Sequence, residues 1–352
     1  MRKNLRFIII GLRGLFGITM LLPTLSKMMD SGNSSSSSKT NVLPTLPILE
    51  KAKFNSDSAF AYTDKIVGMG PRIVGTPVAD KVRAFVVDKF KSFGCDVIEQ
   101  KFPVTTFDGK SHNAVNIIAR TNLQATKRIL LSAHWDSRPF SDQDADSTQH
   151  NKPCLGADDA ATGVAELMEI AHQIQLNPIE GVGVDIILWD AEDYGTNKKH
   201  QTQAEEEKTE NTWCLGTQYW ASHPHVSGYT AIYGINLDMT GARNAHFGKE
   251  GTSMKYAPLA VDKVWRVGRF IGYSNFFADE VAVGITDDHK VVNEIAHIPC
   301  VDIVNQNLDK SKFFADYWHT QQDNMNIVDR ETMRAVGQTI LAVLYYESAN
   351  AL

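Results

Sequence analysis

Cysteine is scarce in this chain, and the four present, Cys95, Cys154, Cys214 and Cys300, stand far apart. That spacing excludes a CxxC zinc site and a disulfide-dense scaffold. It leaves open one bridge, Cys154 to Cys214, in an oxidising compartment. Positive charge is also in deficit: 35 Lys and Arg against 41 Asp and Glu give a net −6. A phosphate-gripping protein needs a basic face, so nucleic acid is excluded as a partner. No internal repeat is visible. No apolar run reaches the roughly 20 residues of a confident membrane span. The nearest, over residues 7–22, is broken by Arg13 and several glycines.

That N-terminal run follows Arg2, Lys3 and Arg6, a basic start and short apolar segment with the shape of an export signal. No cysteine follows for lipid attachment there, and no clean small-x-small cleavage site either, so an uncleaved membrane anchor stays open. A serine run over 31–38 then reads as a flexible linker. The expected layout is a signal peptide or membrane anchor over 1–30, a Ser-rich linker over 31–45 and one catalytic domain over 46–352. The expected location is the periplasm or a secretory lumen, with membrane attachment through the N-terminal segment left open. A chain of 352 residues with 43% hydrophobic content supports a large core.

The domain is organised around residues 184–189, an apolar run short enough for a buried strand, which ends in Asp190, Glu192 and Asp193. Carboxylates at a strand's C-terminal end lie on the edge where open α/β sheets bind ligands. Three close acids repel one another, which calls for a cation among them. The plain alternative is a solvated acidic loop.

Other elements follow the same logic. A helix over 58–67 stops at Gly68–Pro71, and Val82, Phe85, Val86 and Phe90 mark a second that ends at Gly94. Strands over 95–104 and 114–120 flank a turn at Asp108-Gly109. A strand over 129–133 ends at His134 and Asp136. Asp158 and Asp159 open an amphipathic helix, where one acid serves as N-cap and the second is unexplained. Residues 196–211 read as an exposed, solvated insertion, 213–220 as a helix, and 229–237 as an apolar run ending at Asp238. Ala260 to Ile271 mark a helix, 284–289 a polar loop with Asp288 and His289, and 298–304 a strand around Asp302. The last helix buries Met333, Val336, Ile340, Val343 and Leu344. The strand–helix–strand succession predicts an α/β fold: a single three-layer α/β/α domain with a central mixed, mainly parallel sheet.

His134 with Asp136, Asp190 with Glu192 and Asp193, Asp238, and Asp288 with His289 are thus expected at successive strand ends, joined by Asp159 and the late His319. Each alone has an ordinary explanation as a cap, a turn residue or a buried histidine. Together, a mixed histidine and carboxylate set on one sheet edge fits zinc, whose catalytic form keeps three protein ligands and an open position.

The order His134-x-Asp136, Gly156-Ala157-x-Asp159, Glu192-Asp193, Leu237-Asp238 and His319-Thr320 resembles the zinc exopeptidase family of co-catalytic aminopeptidases. Within it, the chain is most similar to the animal-type glutaminyl cyclases. The likeness rests on Asp238-x-x-Gly-Ala-x-Asn244, Asp287-Asp288-His289, and Trp318-His319-Thr320 followed by Asp323-Asn324. It runs from about Gly70 to the C-terminus. The resemblance implies a zinc exopeptidase-like fold and a zinc ion held by Asp159, Asp193 and His319. It makes Glu192 the general base and acid, and Asp238 with Asp288 a proton-handling pair. Trp318 would be a wall of the substrate pocket, with His134 and Asp302 beside it. The implied reaction converts the N-terminal glutamine of exported peptides and proteins to pyroglutamate, releasing ammonia.

Four positions depart from the animal pattern or leave it ambiguous. Asp193 stands where the family usually has glutamate, and Asp302 where the animal enzymes have histidine. His134 and Asp238 keep the residue types that help hold a second zinc in aminopeptidase relatives. One zinc is expected for a cyclase and two for the alternative, a dizinc aminopeptidase. A non-catalytic receptor-like protein is the remaining reading.

Overall fold

In the computed structural model, which describes residues 43–197, 202–307 and 313–352, the chain opens with two capped helices. In α1 (Ser56–Val67), Asn55 accepts hydrogen bonds from the amides of Asp57 and Ser58. In α2 (Pro77–Ser92), Thr76 accepts from Ala79, and Pro77 stands where no amide is needed. Both caps satisfy first-turn donors that no helix can satisfy internally. Leu43 already packs in the core, slightly ahead of the expected boundary at 46. The expected signal or anchor and most of the serine linker lie outside the described residues. Among the described residues no helix is long and apolar enough to cross a membrane.

A hairpin follows, β1 (Asp96–Thr105) and β2 (Ser111–Arg120), antiparallel about Gly109, whose φ of 79° suits glycine. Then come β3 (Lys127–His134), α3 (Gly163–Leu176) and β4 (Val182–Trp189). After α4 (Gln203–Glu210) and α5 (Leu215–Ser222), β5 (Gly234–Asp238) joins the sheet. A small two-stranded sheet pairs β6 (Phe247–Lys249) with β7 (Phe277–Val281), with α6 (Gly251–Tyr256) and α7 (Pro258–Phe270) between them. The chain closes with α8 (Asp288–Glu294), β8 (Cys300–Val304) and α9 (Arg330–Ser348).

The main sheet has the order β1-β2-β4-β3-β5-β8. β3 pairs in parallel with β4 and β5, and β5 with β8; β1–β2 and β2–β4 are antiparallel. It is therefore the expected mixed sheet, flanked by helices on both faces. Alternation along the strands divides the core. Val184, Ile186 and Leu188 of β4 enter one cluster with Leu131 and α9, while Ile187 and Trp189 enter another with Leu130 and Trp220. All eight residues of β4 are buried, as a strand covered on both faces requires. Full burial of each aliphatic side chain contributes about 1.5–3 kcal/mol.

Several sequence expectations are corrected. The run over 229–237 yields a strand only from Gly234, because Tyr229 turns its ring onto Trp220 and its hydroxyl onto Asp185. The polar loop over 284–289 ends inside α8, whose N-cap is Asp287. The insertion over 196–211 contains α4, capped by Thr202. Neither Asp158 nor Asp159 caps a helix: the π-type turn at Ala157–Thr162 begins at Gly156, in left-handed backbone, without a side-chain cap. A Cβ at Gly156 would lie 2.3 Å from the Asp159 carbonyl oxygen, so glycine is needed there. All four cysteines are buried free thiols. Cys154 lies against Ser141, and Cys214 against Glu192, so the Cys154–Cys214 bridge is absent.

Candidate metal centre and its cavity

The parallel register fixes the site. His134 pairs with Trp189, and Ser132 with Asn236, so β3, β4 and β5 deliver His134, Asp190 and Asp238 to the same edge. Two buried carboxylates then shape the turns beyond. Asp136 accepts from the amides of Glu192 and Asp193 at 3.1 Å each. Asp323 accepts from the amides of Asp158 and Asp159 at 2.7 and 3.2 Å. Each acid-bearing turn is thereby held by another acid through its backbone.

Asp159, Asp193 and His319 converge. His319 Nε2 lies 3.0 Å from Asp193 Oδ1 and 3.7 Å from Asp159 Oδ2, and all three residues are buried. A second group shares Asp159: His134 Nε2 is 2.8 Å from Asp159 Oδ1 and 3.6 Å from Asp238 Oδ1. In each group the ligand-type atoms lie within 4.8 Å of one another. Both oxygens of Asp193, one of Asp238, and Nδ1 of His134 and His319 are buried without a hydrogen-bond partner. Native proteins leave few such atoms unsatisfied.

Electrostatics point the same way. Burial, together with neighbouring carboxylates, pushes the proton affinity of Glu192 and Asp193 up. Burial and the charge of Asp159 push Asp238 up to about 8. Burial alone would lower His134, yet the carboxylates of Asp136, Asp159 and Asp238 around its ring hold it well above its ordinary value. A divalent cation removes the strain that such crowded acids create. The nitrogen and oxygen donor set, with unpartnered lone pairs, fits zinc.

A cavity of about 530 Å³ opens onto this centre, lined by Asp159, Glu192, Asp193, Asp238, Trp318 and His319 among the predicted residues. Three predicted residues are not on its wall. Asp288 turns its carboxylate to Thr217, and Asp287 lines the cavity in its place. Ligand-type atoms of Asp287, Glu192 and Cys214 lie within 4.8 Å of one another, so Asp287 is the acid beside Glu192. Asp302 is fully buried within β8, 3.5 Å from His289 Nδ1, and does not border the cavity. His134 sits among Asp136, Asp159 and Asp238 and does not line the cavity either.

Sequence reading missed other parts of the wall. Thr196, Asn197, Thr209 and Glu210 belong to the insertion expected to be solvated. Trp213 stacks beside His319, with ring centroids 5.9 Å apart and 13° between planes. Gly195 allows this, since a Cβ there would lie 2.0 Å from the indole. Phe314 stacks on Trp318, which stacks on His319 at 3.7 Å. The Cys214 thiol donates to Glu192 Oε1 at 3.4 Å. Trp213 and the Asp-Asp pair were visible signals; that Asp287 rather than Asp288 faces inward follows from the start of α8, which no pattern marks.

A mixed sheet between helix layers, with a histidine–carboxylate centre at its edge, defines a zinc-dependent protein of the exopeptidase-like α/β class. A family model for peptidase family M28 matches residues 116–344. The chain belongs to that family. A Zn-dependent exopeptidase from Parabacteroides distasonis is 45% identical, with TM-score 0.79, over 83% of this chain and 98% of its own. Bacteroides thetaiotaomicron glutaminyl cyclase, solved with N-acetylhistamine bound, is 42% identical with TM-score 0.79 over 83% and 98%. The glutaminyl-peptide cyclotransferase of Drosophila melanogaster is 31% identical over 121 residues, 34% of this chain and 31% of its own. The match spans less than half the length of the curated relatives.

Proposed function

We propose that the protein is a glutaminyl-peptide cyclotransferase, converting an N-terminal glutamine to pyroglutamate with release of ammonia. The observation that carries this reading is the place of Glu192. It is a buried carboxylate on the cavity wall, outside the Asp159–Asp193–His319 set, with raised proton affinity and Asp287 beside it. The similarity to solved glutaminyl cyclases supports it.

In this reading Asp159, Asp193 and His319 hold one zinc, which when bound supplies the Lewis acid that polarises the side-chain amide. The α-amine nitrogen then forms a bond to that amide carbon, and the bond from carbon to the amide nitrogen breaks. Glu192 takes the proton the amine loses and returns it to the departing nitrogen, so that ammonia leaves neutral. Its raised proton affinity, caused by burial, suits a group that must both accept and donate a proton. Asp238 and Asp287, also on the wall, share proton holding with it; this replaces the expected Asp238–Asp288 pair. Trp318, Trp213 and Phe314 enclose the glutamine side chain and exclude water.

One specific observation favours a second reading, a dizinc aminopeptidase: the His134–Asp159–Asp238 group shares Asp159 with the first. Two peptides decide between them, one beginning with Gln and one with Leu. Ammonia release from the first, with the chain otherwise intact and one zinc per protein, supports the cyclase. Free leucine with two zincs overturns it.

The basic and apolar N-terminal segment supports export of this protein to the periplasm or a secretory lumen, by a cleaved signal or a retained membrane anchor. Its substrates would then be exported peptides and proteins. Fractionation of cells expressing the full chain tests this, and a cytoplasmic product contradicts it.

A further inference from the structure

His319 is buried, and its Nδ1 has no hydrogen-bond partner of good geometry. A carboxylate oxygen, Asp142 Oδ1, lies 3.5 Å from it. Asp142 is itself gripped from two sides. Arg138 makes a bidentate pair with it, Nε to Oδ1 and Nη2 to Oδ2, both at 2.9 Å. Asn197 donates to Oδ2 at 3.0 Å. The other end of the same guanidinium donates from Nη1 to the carbonyls of Asp193 and Gly195, and the group stacks 4.7 Å over Trp213. One arginine thus spans the backbone of one ligand and the acid behind another.

Asp142 therefore stands where three things meet: the ring of His319, the strand-end turn of Asp193, and the insertion that walls the cavity. We infer that Asp142 is a positioning residue that fixes the His319 ring with Nδ1 protonated and Nε2 aimed at the metal position, and ties that ring to the insertion through Asn197. A histidine ligand whose second nitrogen faces a carboxylate keeps one tautomer and one orientation, and loss of such a partner costs about 10–100-fold in metal affinity. The Asn197 bond extends this to the substrate side, because Asn197 itself lines the cavity. Metal and substrate binding would then be linked through one carboxylate, each strengthening the other. The inference takes from the preceding reading only that His319 is a zinc ligand.

The test uses the purified full chain and a chelator competition for zinc. Asp142→Asn, close in shape, should weaken zinc binding by at least about tenfold, and should shift the visible spectrum of the cobalt(II)-loaded protein. A merely structural role would lower the Tm of the zinc-free protein and leave zinc affinity of the folded fraction within twofold of wild type; that result overturns the inference. Asn197→Ala, which leaves the Arg138–Asp142 pair intact, should raise KM for a Gln peptide and weaken zinc binding less than Asp142→Asn. Unchanged zinc affinity and unchanged KM in Asn197→Ala would break the link to the insertion. Wild-type protein that binds no zinc overturns the metal reading itself, a different failure from an unaffected variant.

Discussion

The two edges of the central sheet treat buried acids in opposite ways. In the N-terminal half of β4, Asp185 is fully buried and fully answered: Arg128 bonds both its oxygens at 2.5 and 2.6 Å, and the Tyr229 hydroxyl adds a third bond at 2.8 Å. Nearby, Glu347 of α9 is held by Lys127, Lys263 and Tyr233. Beyond the other end of β4, Asp193 has no such partners, and both its carboxylate oxygens are buried without a hydrogen bond. The nearest guanidinium atom to the Asp193 carboxylate is 3.8 Å away, and that nitrogen is engaged with backbone carbonyls. Burying a charge is tolerated only where something opposite meets it. Where the chain supplies the opposite charge, the acid is structural; where it does not, the acids are a receptacle for a cation.

If that contrast is right, the largest effect should come from the unanswered edge. Asp159→Asn or His319→Ala should remove zinc and cut turnover by at least about 10³-fold, as should a strong chelator on the wild type, with recovery on adding zinc. Full activity in chelator-treated protein would erase the distinction between the edges. At the answered edge, Arg128→Ala leaves Asp185 buried beside a single hydroxyl and should destabilise the fold by about 3 kcal/mol, with zinc content of the folded protein unchanged. Denaturant unfolding gives the first number and metal analysis the second; lost zinc would show that the edges are not independent.

Trp318→Ala opens the aromatic wall and should raise KM about tenfold, with a smaller change in kcat. A change confined to kcat would place the ring in the chemistry instead. The smallest effect is expected at Glu347. Burial alone would raise its carboxyl, but hydrogen bonds from Lys127 and Lys263 outweigh this and hold it below its ordinary value. A carboxyl depressed by folding stabilises the protein above its unfolded value of about 4.3. That contribution is lost as pH falls through the folded value. Lys263→Met should therefore cost about 1–2 kcal/mol at about pH 6 and little at about pH 2. Equal losses at both would assign the effect to packing.

The same contrast explains what the sequence made legible. β4 could be read because a strand buried on both faces is an apolar run, and its acids because three stand together at its end. Asp185 inside that run gave no hint of its pairing, since Arg128 and Tyr229 are distant in sequence. Asp159 was recognised, but one acid of the Asp158–Asp159 pair was expected to cap a helix, and neither does. Asp158 instead accepts from Gly241 at 2.6 Å and Tyr317 at 2.5 Å, clamping three segments behind the centre. Asp287 and Asp288 are adjacent and chemically identical, and only the helix that begins between them sends one to the cavity and the other to Thr217. The insertion looked solvated because its composition is polar; its role as a wall depends on Gly195 accepting Trp213 against its backbone. Strand β6 is too short to leave a pattern, and β7 is short and largely exposed.

The most direct measurement is zinc content and turnover of Glu192→Gln on a Gln-initiated peptide. Glu192 is the acid on the cavity wall read as carrying the transferred proton and not as holding the metal, so the variant should keep one zinc per chain and lose about 10²–10⁴-fold in ammonia release. A variant that keeps its turnover, or that loses zinc along with it, would contradict that division of labour.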